Sequence, residues 1–185
     1  MDESLSAPRN FTLFETALGW CGVAWQGVRI TAVELPAADP DRVRARLRRA
    51  GAGSEADPPH QVAEACGLIA SLLAGEPADL RAIPVAEEDT ADFERNVYAV
   101  TRTIPPGDTL TYGEIANRLG DPALAREVGA ALGRNPTPLV VPCHRVVAAD
   151  GRLGGFSAPG GQRTKRRLLE IEGAITEPAP TLFAA

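Results

Sequence analysis

No apolar run in the 185 residues approaches the roughly 20 needed to cross a bilayer as a helix. The opening MDESLSAPRN is acidic and polar, without the basic start and apolar middle of a secretory signal. A cytoplasmic protein with no membrane partner is the expectation. Cysteine is scarce: Cys21, Cys66 and Cys143 cannot all pair, and a reducing compartment keeps them as thiols. Their spacing matches no zinc-finger pattern, and His60 and His144 are the only imidazoles, so neither a metal nor a cofactor is expected. Internal repeats and long low-complexity segments are also missing. So is a basic overall balance, since the net charge is −5. That charge is uneven, however. Residues 93–173 hold 11 Lys and Arg against 8 Asp and Glu, and the remainder holds 8 against 16. A basic half joined to an acidic half can still meet a polyanion through one face.

The apolar and charged fractions, 44% and 23%, are those of an ordinary globular protein, long enough for one domain or two small ones. Residues 11–35 read as strands, with 20–25 and 28–35 flanking a Gln26-Gly27 turn. Asp39-Pro40 reads as a helix start, Asp capping and Pro at the first helical position. Val62, Cys66, Ile69 and Leu73 recur at helical spacing, which predicts a second helix over about 60–74 and makes Cys66 a small core residue. These elements form a small α/β unit, residues 1–86. The Pro- and acid-rich stretch 75–92 reads as a linker, and residues 176–185 as a loose tail.

Residues 87–175 carry the chemistry. Phe93, Val97 and Val100 mark a helix that ends before Pro105-Pro106. Thr111-Tyr112-Gly113-Glu114 has the form of a capping box opening a helix through Leu119. Gly120 breaks that helix; Asp121 caps and Pro122 opens the next, which runs to Gly133. Two short helices across a glycine-containing turn make a helix-turn-helix pattern. Leu124, Val128, Ala131 and Leu132 give the second helix a core face. Arg126, Gly129, Ala130 and Gly133 give it another, almost without bulk. Such a face permits close packing on a neighbouring element, or close entry into a nucleic-acid groove with Arg126 projecting into the duplex.

Next, Asn135-Pro136-Thr137-Pro138 reads as a rigid turn, and Leu139-Val140-Val141 as a short buried strand delivering Cys143 and His144. The Gly154-Gly155 pair lets backbone approach a ligand, and a last helix spans about 162–172. A free thiol of pKa about 8.5 is only about 3% thiolate at neutral pH, so the surroundings of Cys143 matter. Neighbouring strand residues point to opposite faces, so a Cys143–His144 contact needs an irregular backbone or a bridging water. Lys165, Leu168, Leu169 and Glu172 share one helix face. A carboxylate there is costly unless paired. Glu172 therefore either reaches solvent at the helix end or orients His144.

PCHRVV, preceded by GRNPTPLVV and followed by GGFS, resembles the active-site signature of the O6-alkylguanine-DNA alkyltransferases, also called methylated-DNA–protein-cysteine methyltransferases. The resemblance runs over about residues 93–173, through TYGEIA, the arginine-bearing helix and LLEIEG. It implies an α+β chain: a small ribonuclease H-like N-terminal domain, then a mostly helical domain with a helix-turn-helix. It implies that Cys143 accepts the alkyl group, that His144 deprotonates it through water, and that Glu172 orients His144. Asn135 is then the brace before the reactive segment. Tyr112 crowds the DNA phosphate and assists the departing guanine. Arg126 fills the stack, with Gly129, Ala130 and Gly133 on the same DNA-facing side. Pro138, Val146, Gly154, Phe156 and Ser157 fall where the family builds its guanine pocket. The implied partner is alkylated double-stranded DNA, approached through the minor groove by a chain that is a monomer when free, with cooperative assembly on DNA left open. Phe156 stands where many members carry tyrosine or tryptophan.

Other classes stay in view. A lesion-recognition module lacks the acceptor cysteine that this chain keeps. A regulator reading the major groove normally presents larger polar side chains. A cysteine hydrolase built on Cys143, His144 and Glu172 would turn over repeatedly on a soluble ester. Cys21 and Trp25 read as packing residues, His60 as a solvated helix end, and the arginines of 42–49 as a solvated face or a cooperative contact.

Overall fold

Alternation along the chain sets the sheet. In β2 (Gly19–Gln26), Cys21, Val23 and Trp25 point to one side and Gly22 and Ala24 to the other. The computed structural model describes residues 7–175, so the expected tail at 176–185 lies outside the described residues. β1 (Arg9–Thr16) and β3 (Arg29–Ala37) flank β2 antiparallel, with Phe14 opposite Cys21 and Val33 opposite Val23. β4 (Ser54–Glu55) adds parallel to β1, giving the order β3-β2-β1-β4.

Helices cover both faces. α1 (Pro40–Arg49) begins where the Asp-Pro pair predicts, the Asp39 carboxylate accepting from the Asp41 N–H at 2.9 Å. Its Val43 and Leu47 pack on Phe11, Ala24 and Ala32. Gly22 makes room for it: a Cβ there would stand 2.6 Å from a Leu47 methyl. α2 (His60–Leu73) covers the opposite face with Val62, Cys66, Ile69 and Leu73, all buried. The stretch 75–92 is not a free linker. Leu80 and Ile83 enter the same core, and the Ile30 N–H and C=O bond Pro84 and Ala86 along the outer edge of β3. Two apolar residues suffice to anchor a segment whose composition reads as loop.

The second half is mainly helical. α3 (Asp92–Arg102), α4 (Tyr112–Arg118) and α5 (Ala125–Gly133) enclose Val97, Ile115, Ala116, Val128 and Ala131. Both capping-box bonds at Thr111 and Glu114 are present. Asp121 caps a 3-10 turn, Pro122–Leu124, rather than α5 itself. A small parallel pair, β5 (Leu110–Thr111) and β6 (Val146–Val147), and α6 (Gln162–Ile171) complete a mixed α+β chain with one principal sheet and six α-helices among the described residues.

Residues 139–141 depart from the expected strand. Leu139 takes a left-handed φ of 74°, and the Val141 N–H bonds back to the Thr137 carbonyl at 2.9 Å, so the segment is a tight turn. Pro138 and Pro142 bracket it and remove the donors a strand ladder needs. Its burial is as expected, but it is shared: Leu139 and Val140 join the core beneath the sheet, and Val141 joins the helical core. The turn stitches the two cores together.

Ile69→Ala should destabilise the protein by about 2–5 kcal/mol, as truncation of a fully buried side chain does. Val28→Ala, at an exposed position, should stay within about 0.5 kcal/mol. Urea unfolding of the two variants checks this; similar midpoints would contradict the assigned core.

Candidate active site

Cys143, His144 and Arg145 form a 3-10 turn directly after Pro142 and before β6. This irregular backbone, rather than a strand end, sets the directions of the three side chains. Asn135, just beyond α5, braces the turn from both of its ends. Its Oδ1 accepts from the Thr137 N–H at 3.0 Å, and its Nδ2 donates to the Val141 carbonyl at 2.8 Å and to Cys143 Sγ at 3.3 Å. Asn135 thus touches the thiol as well as the turn.

Glu172 ends α6 with a side chain only 2% exposed. Its Oε1 lies 2.9 Å from His144 Nε2 and accepts from an Arg145 guanidinium nitrogen at 2.8 Å. Arg145 Nε donates to Oε2 at 2.9 Å. Burial opposes charge on Glu172, but the hydrogen bonds from His144 and Arg145 outweigh it and hold the carboxyl at about 2. Burial pushes His144 below its ordinary value against the pull of Glu172, so the ring is neutral at neutral pH. A neutral ring facing an ionised carboxylate carries its hydrogen on Nε2. Nδ1 keeps the lone pair, and among the described residues it is buried with no hydrogen-bond partner.

Burial pushes the Cys143 thiol up, while the Asn135 hydrogen bond and the charge of Lys165 pull it down. The resting group is therefore a thiol. Lys165 is fully buried; its ammonium donates to the carbonyls of Val146 and Gly155, the latter at 3.3 Å, and sits 5.8 Å from the centre of the Tyr112 ring. Burial lowers Lys165 to about 8, and the negative charge of an ionised Cys143 opposes that shift.

In front of Sγ lies a cavity of about 320 Å³, lined by Tyr112, Gly129, Gly133, Gly155, Phe156 and Ser157 among others. The Tyr112 hydroxyl makes a long, 3.4 Å bond to the Gly155 carbonyl. Gly154, at φ 72°, lies under that ring, where a Cβ would meet it at 2.9 Å. Its own atoms do not line this cavity, and neither do those of Val146, whose side chain is core. Pro138 lines an adjoining cavity that also reaches Cys143. On α5, Gly129 and Gly133 face the site, whereas Ala130 is exposed beside it. Arg126 is exposed at the start of that helix, without hydrogen bond or ion pair among the described residues. Sequence reasoning missed Arg145 and Lys165. The signal for Lys165 was available, since the same-face argument applied to Glu172 covers it equally. Arg145 carried none beyond its place in the motif.

Comparison with known proteins locates the strongest sequence likeness in this half, while the likeness of fold extends over most of the chain. The family model described as 6-O-methylguanine DNA methyltransferase, DNA binding domain, matches residues 92–174. A methylated-DNA–protein-cysteine methyltransferase of Mycobacterium bovis is 48% identical over 92 residues, 50% of this chain and 54% of that one. The matched region thus spans about half the length of that relative. A protein of the same name from Methanothermobacter thermautotrophicus is 39% identical over 124 residues, covering 67% of this chain and 68% of its own. Among solved structures, the Mycobacterium tuberculosis O6-methylguanine methyltransferase has a TM-score of 0.68 at 32% identity, covering 92% of this chain and 96% of that one. A Mycobacterium tuberculosis OGT solved in complex with DNA has a TM-score of 0.70 at 32% identity, over 89% and 93% of the two chains.

Acid should loosen this site in two stages. His144 lies below its ordinary 6.5, so the unfolded chain binds that proton first and stability starts to fall as pH drops through 6.5. The contribution of Glu172 is fully present above its ordinary 4.5 and is lost as pH falls toward about 2. Glu172→Gln should remove the second stage and cost about 3–5 kcal/mol near neutrality, because it leaves Arg145 buried without its counter-charge. Urea midpoints measured across this range test the assignment; a profile indifferent to Glu172→Gln would contradict it.

Proposed function

The chain belongs to the O6-methylguanine-DNA methyltransferase family, and from that premise we propose that it repairs O6-alkylguanine in duplex DNA by moving the alkyl group irreversibly onto its own Cys143. The observation that carries this is the place of Cys143 in the wall of a cavity of about 320 Å³, next in the chain to a His144 whose Nδ1 is buried and without a partner among the described residues. Sites for small molecules begin at about 300 Å³, so one extruded base is a suitable occupant.

The target carbon lies inside the duplex, so the nucleotide must leave the stack first. Extrusion costs a few kcal/mol, and Arg126 offsets part of it by entering the vacancy. Gly129, Ala130 and Gly133 let α5 come close to the minor groove without steric conflict. The Cys143 proton passes to His144 Nδ1 through one water, and Glu172 stabilises the imidazolium that forms. Asn135 Nδ2 and the Lys165 charge stabilise the thiolate. Its electron pair forms the S–C bond as the C–O6 bond breaks, and that pair leaves with guanine. Tyr112 exchanges its long bond to Gly155 for one to the departing base, and the proton first held by the thiol ends on guanine. The thioether has no neighbour able to hydrolyse it, so one molecule repairs one lesion. Recognition without transfer is the alternative.

Finer features belong to the same proposal. α4 and α5, joined by the capped 3-10 turn, act as a helix-turn-helix, and the order β3-β2-β1-β4 with β4 parallel to β1 supports a ribonuclease H-like N-terminal unit. We take residues 1–86 and 87–175 as the two domains, and the free chain as a monomer that is able to assemble on DNA. Three unpaired thiols suit the cytoplasm.

Mixed with a duplex containing O6-methylguanine, the protein should gain one methylene unit in intact mass, mapped to Cys143 and stopping at one equivalent. Cys143→Ser should gain none. Tight lesion binding without mass gain would leave only the recognition alternative. Arg126→Ala should slow duplex repair by about 10- to 100-fold, corresponding to roughly 1.4–2.7 kcal/mol, while leaving reaction with the free modified base unchanged.

A further inference from the structure

α5 carries two charged residues, Arg126 and Glu127, side by side. Glu127 is exposed, with neither a hydrogen bond nor an ion pair among the described residues. Val128, Ala131 and Leu132 are buried on the opposite side of the helix. Successive helical residues turn by about 100°, so Arg126, Ala130 and Gly133 form the outer face and two residues flank it. Gly129 lies on one flank, where a Cβ would stand 3.7 Å from the Tyr112 ring beside the reactive cavity. Glu127 lies on the other flank, away from that cavity. A carboxylate in the first turn of a helix favours the helix dipole, and aspartate would do this equally.

Against DNA, a carboxylate without a partner is a liability. Phosphates repel it, and the minor-groove edge of an A·T pair offers only acceptors, adenine N3 and thymine O2. The one donor on that edge of any pair is the N2 amino group of guanine. A carboxylate in this groove is thus favoured at a G·C pair, where it accepts a charge-assisted hydrogen bond, and disfavoured at A·T. Glu127 occupies one flank of the helix, so it meets the neighbouring pair on one side of the vacated position. Gly129, on the other flank, has no side chain with which to contact a base.

Resting on the repair activity and the approach of α5 to the minor groove given above, we propose that Glu127 reads one base pair beside the lesion by accepting from the guanine N2 amino group. The chain then repairs O6-alkylguanine fastest where a G·C pair stands on that side. Arg126 and Glu127 divide the task between them. The arginine replaces the extruded base whatever the sequence, and the glutamate selects the neighbour.

Inosine gives the test, because an I·C pair differs from G·C in lacking only the N2 amino group. Duplexes carry O6-methylguanine with G·C or I·C at one neighbouring position or the other, and methyl transfer is timed in single-turnover reactions below saturation. The unsubstituted protein should repair the G·C duplex about tenfold faster than the I·C duplex on one side of the lesion, a difference of roughly 1.4 kcal/mol. On the other side the two rates should be equal. The weaker pairing of inosine acts on both sides, so comparing the sides removes it. Glu127→Ala should abolish the one-sided preference. Glu127→Asp should abolish it too, although it keeps a charge in the first turn of α5 and with it any stabilisation of the helix. Equal ratios on both sides in the unsubstituted protein overturn the readout. A one-sided preference that survives in both variants overturns the assignment to Glu127. Faster repair of every duplex by Glu127→Ala, with the ratios unmoved, reduces Glu127 to a repulsive charge and overturns the readout as well. Absence of methyl transfer in the unsubstituted protein overturns the parent activity, an outcome distinct from methyl transfer without a preferred neighbour.

Discussion

A buried carboxylate holds the reactive centre in place. Glu172 sits at the end of α6 with its side chain shut off from water, and it bonds both His144 and Arg145 of the turn that bears Cys143. Arg145 in turn donates to the Ile104 carbonyl beyond α3, so one ion pair ties three parts of the chain. Burying such charges is expensive, and only a nearly complete set of partners makes it tolerable. The same requirement gives the arrangement its specificity, because any displaced member leaves a charge uncompensated. The tautomer of His144, and therefore which ring nitrogen keeps its lone pair, follows from this one contact.

Burial also governs reactivity. An exposed thiolate would react with any electrophile that reached it. Cys143 is instead held as a thiol by desolvation, with its stabilisers, Asn135 and Lys165, already in position. Charge then appears on sulfur only when the proton has somewhere to go. Under the single transfer proposed above, a protonated resting state protects the one equivalent of activity. Lys165 shows the same economy of placement, since its ammonium is spread over two carbonyls and the Tyr112 ring rather than neutralised by a carboxylate. Its charge remains available to the sulfur.

The two halves are joined by the turn at 137–141, which accepts a left-handed leucine to do so. A non-glycine residue in that region costs on the order of 1–3 kcal/mol. Leu139 and Val140 reach the core under the sheet, Val141 reaches the helical core, and the chain emerges at Pro142 with Cys143 beside both cavities. An extended strand would have sent Val140 away from its neighbours. Packing on both sides therefore outweighs the local preference of three apolar residues for extended backbone.

What could be read from the chain itself was local or periodic. The Asp39-Pro40 helix start, the Thr111–Glu114 capping box and the apolar stripe of α2 each depend on residues within a few positions of one another, so their geometry is written in the spacing. The reactive motif was legible for the same reason, and the unfavourable position of Glu172 on an apolar face pointed to a partner. Tertiary structure alone decided that this partner is shared with Arg145, that Lys165 stands behind the thiol, that residues 75–92 cover the edge of β3, and that 139–141 turn instead of extending. Each of these pairs groups far apart in sequence, where the balance between desolvation and partner contact is set by the folded surroundings. Local patterning determined the elements and singled out Cys143; long-range packing determined the charge state of that thiol and the walls around it.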